Sequence, residues 1–259
     1  MEITKQIIKV GNGAGVLVPR EWLNGTAKVQ LIEKPLNIKE DIINILDPYL
    51  PNILSVMVVG SYARGEQTQR SDIDVLVITD SIKKTIKKGK YDFILISKDS
   101  IEKALENNIL PILPMLKEAK PIINASLIRK YAETPLTKKN LAVHTELTKS
   151  AMNVVKEHLK LSIMMKEKII SEGFAYSLGL RMRQVYIVDC LINKKSQSNK
   201  ELKKVILKVT GSLGLYEGYL RVKDDKKAQK KLPLEEAQKA LAYVIKKIKE
   251  QEKWIKRTC

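Results

Sequence analysis

The residues best suited to chemistry lie in one stretch of the chain, residues 60–77. An apolar run from Ile53 to Val59 leads directly into Gly60-Ser61, which predicts a buried strand that turns into a short helix. Glycine lets backbone amides approach an anion closely, and the Ser61 hydroxyl adds a donor beside the unpaired N–H groups of a helix start. This order of residues predicts a phosphate-binding turn that does without the lysine of a P-loop.

Three carboxylates follow this turn. Asp72 and Asp74 stand two positions apart at the start of a predicted strand, Ile73 to Thr79, so both side chains project from one face of a sheet. Like charges at such spacing repel each other unless a cation bridges them. Asp92 opens a further predicted strand, and a neighbouring place in the sheet would bring its carboxylate beside the pair. Oxygen ligands favour Mg²⁺ or Mn²⁺, and three carboxylates with triphosphate oxygens complete two octahedral sites.

Each of these features has an ordinary explanation when it is taken alone. Exposed strand ends often carry Asp-x-Asp pairs, and a Gly-Ser turn is a weaker signal still. Their combination, with a strand before each and a carboxylate on a third strand, indicates a site for nucleotide phosphates and metal ions. Asp80 and Asp99 are close enough in sequence to compete with Asp92 for the place of the third carboxylate.

The stretch resembles the signature of the polymerase-β nucleotidyltransferase superfamily, which has Gly-Ser, a gap and then Asp-x-Asp. Gly60-Ser61-x-x-Arg64-Gly65 and Ser71-Asp72-x-Asp74 are most similar to the small prokaryotic branch of minimal and kanamycin-modifying nucleotidyltransferases. The resemblance covers residues 37–125. It implies that Gly60, Ser61 and Arg64 bind the nucleotide. It also implies that Asp72, Asp74 and Asp92 are the metal-binding and catalytic residues, with the third carboxylate able to act as the base toward the acceptor hydroxyl.

The resemblance further implies an enzyme that moves a nucleoside monophosphate from an NTP to an acceptor hydroxyl, with two Mg²⁺ or Mn²⁺ ions and release of pyrophosphate. RNA, a protein or a small molecule could be the acceptor. The alternative is a regulatory nucleic-acid-binding protein in which the nucleotidyltransferase fold senses nucleotide. Three carboxylates argue against that alternative, because a sensor would not need them. A pure assembly module would leave both the turn and the aspartates unexplained.

The first segment, residues 1–34, predicts a β-hairpin element. Its predicted strands and turns are, in order, Ile3 to Val10, Gly11-Asn12-Gly13, Ala14 to Val18, Asn24-Gly25 and Val29 to Glu33. The run Val10-Gly11-Asn12-Gly13, followed by Val16-Leu17-Val18 and Pro19-Arg20, resembles the AbrB-type swapped-hairpin domain. That resemblance implies a homodimer and a possible contact with DNA. The simpler reading is a hairpin that only caps the catalytic domain.

The rest of the chain predicts an α+β fold with a small mixed-sheet nucleotidyltransferase domain over residues 35–130 and a helical domain over residues 131–259. A helix should begin after Asn37, and residues 83–90 and 211–218 read as connections. Helical spacing predicts further helices near residues 147–170, 182–192, 202–209 and 233–255. We expect His144 and His158 on helix surfaces. Several basic and aromatic side chains could hold phosphates or bases, although ordinary helix packing is the favoured explanation for them. These residues are Arg181, Arg183, Tyr186, Tyr216, Tyr219 and Arg221.

The formal net charge is +18, from 47 Lys and Arg against 29 Asp and Glu. Such an excess attracts polyanions, so contact with nucleic acid through a basic surface is plausible, and a lysine-rich solvated surface typical of a thermophile is the alternative. No apolar run approaches the roughly 20 residues of a membrane span, and no signal peptide is recognisable, so we expect a cytoplasmic protein. Two cysteines and two histidines without metal-ligand spacing leave carboxylates as the metal ligands.

Overall fold

The computed structural model describes residues 2–32, 36–69, 71–224 and 232–258. By its internal contacts the chain separates into two compact units, Met1–Ile42 and Ile43–Cys259. The architecture is α+β, as the sequence predicts. The predicted domain boundaries at residues 34 and 130 stay predictions.

The N-terminal unit contains a short antiparallel hairpin of strands β1 (Ile8–Val10) and β2 (Gly13–Gly15). Its turn includes Gly11, whose φ of +58° is a conformation that glycine adopts readily. Both strands are shorter than predicted, and a single 3-10 turn follows at Arg20–Trp22.

The predicted third strand is wrong over residues 29–32, which have no regular structure, and Glu33 lies outside the described residues. Val29 is 70% exposed and Ile32 is 72% exposed. Strand-forming side chains do not make a strand unless the backbone finds a pairing edge, and a lone hairpin is at best marginally stable. The apolar side chains of this segment therefore stay largely exposed in the described part of the chain.

A five-stranded mixed sheet is the centre of the second unit. Its strands are β3 (Ile53–Val59), β4 (Ile73–Thr79), β5 (Lys84–Lys88), β6 (Tyr91–Ser97) and β7 (Lys120–Ile123). In space they follow the order β5-β6-β4-β3-β7, with β4 and β6 parallel and the other pairs antiparallel. Strand β5 occupies a stretch predicted as a connection. Its lysine-rich sequence suits a sheet edge, where charged side chains stay in water.

Helix α1 (Ile38–Leu46) precedes the sheet in the chain. Four further helices alternate with the strands or follow them: α2 (Gly60–Arg64), α3 (Lys98–Asn107), α4 (Ile112–Glu118) and α5 (Ala125–Ala132). Helix α1 begins as predicted, because the Asn37 side chain accepts a hydrogen bond from the Glu40 N–H at 3.4 Å. Buried residues of α3, α4 and α5 form one apolar cluster with Met57, Leu76 and Ile78 of the sheet. The helices therefore pack on the same face of the sheet from which Asp72 and Asp74 project.

The remainder of the chain is helical: α6 (Lys138–Met164), α7 (Glu172–Ile192), α8 (Asn199–Thr210), α9 (Gly214–Lys223) and α10 (Leu234–Thr258), with a two-residue strand pair β8 (Ile169–Ile170) and β9 (Leu232–Pro233). Helix α6 starts at a capping box between Thr137 and Asn140. Helix α9 begins inside the stretch predicted as a turn. Since Val188, Leu191 and Ile255 belong to the apolar cluster of the sheet domain, the helical part shares its core.

None of the helices in the described part of the chain is long and apolar enough to cross a membrane.

Candidate active site

The turn between β3 and α2 brings the backbone of Gly60 against the carboxylate of Asp74. Gly60 has a φ of +71°, and a Cβ built on it would lie only 2.2 Å from Asp74 Oδ2. Val59 pairs with Asp74 in the antiparallel register of β3 and β4, which explains this approach. A glycine is therefore required here both for the backbone conformation and for the space beside the carboxylate.

The sheet register brings two of the predicted carboxylates side by side. Asp74 pairs with Asp92 across the parallel strands β4 and β6, and Asp72 precedes β4 by one residue. Burial raises the pKa of Asp74, and the negative charges of Asp92 and then Asp72 raise it further, while Lys223 opposes the shift. Since the ionised form of Asp74 is disfavoured by its neighbours, a cation at this place would relieve the repulsion.

The competing carboxylates lie elsewhere. Asp80 follows the far end of β4, where its side chain accepts hydrogen bonds from Asn52 and Ser81. Asp99 is an exposed residue of the first turn of α3. Asp92 forms an ion pair with Lys87 at 3.2 Å, and the side chains are 27% and 77% exposed, respectively. An ion pair this exposed is weak, so it leaves Asp92 available to other partners.

The carboxylates suit a hard divalent ion by their chemistry and by the register of Asp74 with Asp92. In the described ranges, however, no three Asp, Glu, His or Cys side chains are already gathered around one metal position. The donor set and the mutual repulsion at Asp74 fit Mg²⁺ or Mn²⁺. Asp72, Asp74 and Asp92 are the residues that would hold it.

Arg64 lies near the turn but is engaged by two glutamates. Its Nε donates to Glu66 Oε2 and its Nη1 to Glu118 Oε2, each at 2.8 Å. Glu118 also accepts a hydrogen bond from the Gly60 N–H at 2.8 Å and one from Gln197. The amide of Gly60 is thus already satisfied by a side chain, which the sequence did not indicate. Arg64 keeps further N–H groups, since a guanidinium has five donors and these two pairs use two.

Glu66 ties the same turn to the helical part of the chain. It accepts hydrogen bonds from Ser198 Oγ at 2.7 Å and from the Asn199 N–H at 2.9 Å, at the start of α8. Burial opposes ionisation of Glu66, but the hydrogen bonds from Arg64, Ser198 and Asn199 lower its pKa to about 2. Because this carboxylate stays ionised at ordinary pH, the hydrogen bonds between the residues after α2 and the start of α8 do not depend on pH in that range.

A cavity of about 650 Å³ opens beside the turn and the carboxylates. Gly60, Ser61, Arg64, Asp72 and Asp74 all lie in its wall, and residues of α4, α6, α7 and α9 supply much of the remainder. Asp92 is outside the cavity lining, one strand further along the sheet. The volume of the cavity is within the usual range for sites that bind small molecules.

Basic and polar groups from the helical part line the same cavity: Arg181, Arg183, Gln184, Tyr219 and Lys223. Arg181, Arg183 and Tyr219 were expected to serve in ordinary helix packing. Arg221 does so, because it pairs with Glu172 at 2.8 Å. The expectation that His144 is a surface residue is wrong. It is 4% exposed and lies in the cavity wall, where its Nε2 is 3.0 Å from Gln251 Oε1 of α10.

Removing the negative charge of Glu118 should destabilise the fold. Glu118→Gln leaves Arg64 with one of two carboxylate partners, and both side chains are nearly buried, at 8% and 11% exposure. We expect the free energy of unfolding to fall by about 2 kcal/mol, because a nearly buried guanidinium loses one of its two charge-assisted hydrogen bonds while Glu66 still balances its charge. Glu106→Gln, which breaks the exposed pair with Lys139, is the matched control and should change it far less, because solvent screens an exposed ion pair. Denaturant unfolding measures both, and equal small losses would contradict a structural role for Glu118.

Residues 39–146 match the family model of the nucleotidyltransferase domain. The five-stranded sheet, the Gly60 turn and the three aspartates all fall within the matched residues. This part of the chain is therefore a nucleotidyltransferase domain, and the resemblance drawn from the sequence is confirmed. The likeness of residues 1–34 to the AbrB-type domain stays a prediction.

Solved structures of similar proteins include a nucleotidyltransferase-like protein from Exiguobacterium sibiricum, with 12% identity over 83% of this chain and 76% of that one, at a TM-score of 0.39. Another is a spectinomycin adenyltransferase from Enterococcus faecialis with ATP and spectinomycin, with 12% identity over 81% of this chain and 97% of that one, at a TM-score of 0.41. A toxin–antitoxin structure with AMP-PNP matches 47% of this chain and 98% of that one, with 17% identity and a TM-score of 0.27. No curated protein matches the chain.

Proposed function

We propose that the protein is an NTP:acceptor nucleotidyltransferase that transfers a nucleoside monophosphate to a hydroxyl group and releases pyrophosphate. The observation that carries this proposal is the contact of Gly60 with Asp74, beside Asp72 and Asp92, at the wall of a cavity in a nucleotidyltransferase domain. The phosphate turn and the carboxylates are thus adjacent, as the reaction requires. A sensor of nucleotide would not need a second and third carboxylate at this place.

In the proposed reaction the acceptor oxygen attacks the α-phosphorus of the NTP. A bond forms between them, the bond from the α-phosphorus to the oxygen that bridges it to the β-phosphorus breaks, and pyrophosphate leaves with that electron pair. Gly60, Ser61 and Arg64 bind the phosphates, and Asp92 takes the proton of the acceptor hydroxyl. Asp72, Asp74 and Asp92 are the residues that would hold two divalent ions. When bound, the ions neutralise charge on the reacting and leaving phosphates.

Incubation of the purified protein with each α-labelled NTP, Mg²⁺ or Mn²⁺, and the RNA, protein and small-molecule fractions of a cell extract tests the proposal. We expect pyrophosphate release together with label in one of the three fractions. Nucleotide binding and salt-dependent binding to nucleic acid without any turnover would overturn it and favour the regulatory alternative, since phosphate contacts weaken with salt.

The proposal includes a homodimer formed through the N-terminal unit. Apolar side chains of this unit are widely exposed, with Val10 at 55%, Leu17 at 70% and Leu23 at 75%. A second copy would cover them, because exposed apolar groups gain free energy when they are removed from water. Light scattering should give the mass of two chains for the intact protein and of one chain after removal of residues 1–34. A monomeric intact protein would contradict this part of the proposal.

A further inference from the structure

Two arginines flank the stripe of helix α7 that faces the cavity. Leu180, Gln184 and Ile187 line the cavity at helical spacing, and Arg181 and Arg183 lie on either side of them. At about 100° per residue the two arginines are separated by about 160° around the helix axis. They therefore serve different sides of the cavity.

Arg183 lies on the side of the proposed phosphate turn. Its Nη1 donates to the Tyr219 hydroxyl of α9 at 3.3 Å, and with Arg64 and Asn199 it lines a smaller recess. Lys223 belongs to the same side, because its positive charge lowers the pKa of Asp74 against the larger effect of burial. These cations are placed to meet the phosphates of the nucleotide.

Arg181 lies on the other side, toward α6 and His144. Burial lowers the pKa of His144, a hydrogen bond with Gln251 opposes that shift, and the positive charge of Arg181 lowers the pKa further. Both side chains line the same cavity, and the charge of Arg181 acts on the His144 ring. This side includes apolar residues of α6 and α7, Val143, Leu147 and Leu180.

Arg181 forms no ion pair with any carboxylate of the described residues. Its Nη1 donates to Gln184 Oε1 at 2.6 Å, its Nε is buried without a hydrogen-bond partner in the described part of the chain, and burial lowers its pKa. Arg64 and Arg221, by contrast, each pair with a buried glutamate. A partly buried guanidinium without an anion is unfavourable, so the structure leaves room for an anion that comes from outside.

His144 offers a hydrogen-bond acceptor at the same place. The side-chain amide nitrogen of Gln251 donates to the Val185 carbonyl and to Asp189 Oδ1, each at 2.8 Å, so its Oε1 faces His144 Nε2. A carbonyl oxygen only accepts, and His144 Nε2 must therefore carry the proton. The neutral ring then presents a lone pair on Nδ1, which is buried without a partner in the described ranges.

From this geometry we propose that the acceptor is a small hydroxylated molecule with a carboxylate or phosphate group, which Arg181 binds while His144 Nδ1 accepts a hydrogen bond from a hydroxyl. The proposal rests on the proposed function and names the class of its second substrate. A small molecule is favoured over a polymer because His144 is only 4% exposed at the wall of a cavity of small-molecule size.

Binding of four related sugars tests the charge preference: glucuronate, glucose 6-phosphate, glucose and 6-amino-6-deoxyglucose. Each is titrated into the intact protein with Mg²⁺ and a saturating non-hydrolysable NTP analogue, so that the nucleotide's phosphate positions are filled. We expect the two anions to bind about 10- to 100-fold more tightly than the neutral and cationic sugars, the range of a charge-assisted hydrogen bond. Preference for one anion over the other distinguishes a phosphate from a carboxylate acceptor.

Arg181→Gln should abolish the preference for the anions and leave the affinity for the NTP analogue unchanged, while Arg181→Lys should retain part of the preference. Arg183→Gln is the matched control on the same helix. It should lower the affinity for the NTP analogue and leave the preference for anionic sugars unchanged. Thermal unfolding verifies that each variant is folded.

Several outcomes would overturn the inference. They are equal binding of all four sugars, binding of none, tighter binding of the cationic amino sugar, or weaker binding of the NTP analogue to Arg181→Gln than to the parent. None of these affects transfer of label to another acceptor, so the proposed function would stand. Conversely, absence of pyrophosphate release with every acceptor would sink the proposed function, while the sugar titrations still decide whether this end of the cavity binds anions.

Discussion

Replacement of Asp72 and Asp74 together by asparagine is expected to reduce nucleotidyl transfer by about 1000-fold or more. The amide groups keep the size of the side chains but remove both negative charges that would hold the divalent ions. Loss of that charge stabilisation costs several kcal/mol in the transition state, and each 1.36 kcal/mol is about tenfold in rate. The rates of pyrophosphate release and of label transfer, measured with Mg²⁺ and each NTP, give the effect directly.

Single variants assign the third carboxylate. Asp92→Asn should lower the rate by about 100-fold or more, as loss of a positioned base does, whereas Asp80→Asn and Asp99→Asn should leave it within about twofold. The last two remove carboxylates that are not paired with Asp74, since Asp80 follows the far end of β4 and Asp99 lies in α3, whereas Asp92 pairs with Asp74 across β4 and β6. Full activity in the double variant, or an equal loss in all three single variants, would show that the reaction does not depend on this cluster.

Stability at neutral pH separates a catalytic loss from unfolding. Burial and the charges of Asp92 and Asp72 raise the pKa of Asp74 in the folded protein. A raised carboxyl pKa contributes stability only while the group is protonated, below its unfolded pKa of about 3.9, and that contribution is lost as the pH rises through the folded pKa. Asp74→Asn should therefore have a higher Tm than the parent at pH 7, and the difference should vanish in acid. A lower Tm at pH 7 would mean that the substitution damages the fold.

The parts of the site that could be predicted from the sequence are those fixed by neighbours along the chain. The strand before Gly60 and the alternation at Asp72 and Asp74 are local patterns, so the placement of these residues follows from the spacing alone. Asp92 could be named as a candidate because it opens a further predicted strand, which a neighbouring place in the sheet would bring beside the pair. Its register opposite Asp74 became visible only in the folded sheet.

The residues that sequence reasoning missed owe their place to tertiary contacts. Glu118 reaches Gly60 and Arg64 across more than fifty positions, and no local motif marks it. His144 is buried because Gln251, far along the chain, occupies the facing helix, which helical spacing in α6 cannot reveal. Strand β5 was missed for a different reason. Ile86 is the one apolar residue of this five-residue strand, and three of the others are lysines, so the sequence of this edge strand resembles that of a solvated connection.

Gly60→Ala is expected to combine a moderate loss of stability with a large loss of activity. A residue with a Cβ at a φ of +71° costs about 1–2 kcal/mol in backbone strain, and that Cβ would lie 2.2 Å from Asp74 Oδ2. The carboxylate must move away, and a displacement of this size in a group that positions reactants can cost about 100-fold in rate. Measurement of kcat/KM together with thermal unfolding records the two effects separately.

Gly65→Ala provides a matched control five residues further on. Gly65 has nearly the same φ, +70°, but a Cβ there meets no atom within 4 Å. Both variants should therefore lose similar stability from backbone strain, while only Gly60→Ala should lose transfer. If the two lose activity equally, the left-handed backbone and not the contact with Asp74 is what the reaction needs. If neither does, the glycine is required only for folding, and the approach of the phosphate turn to the carboxylate has no part in the chemistry.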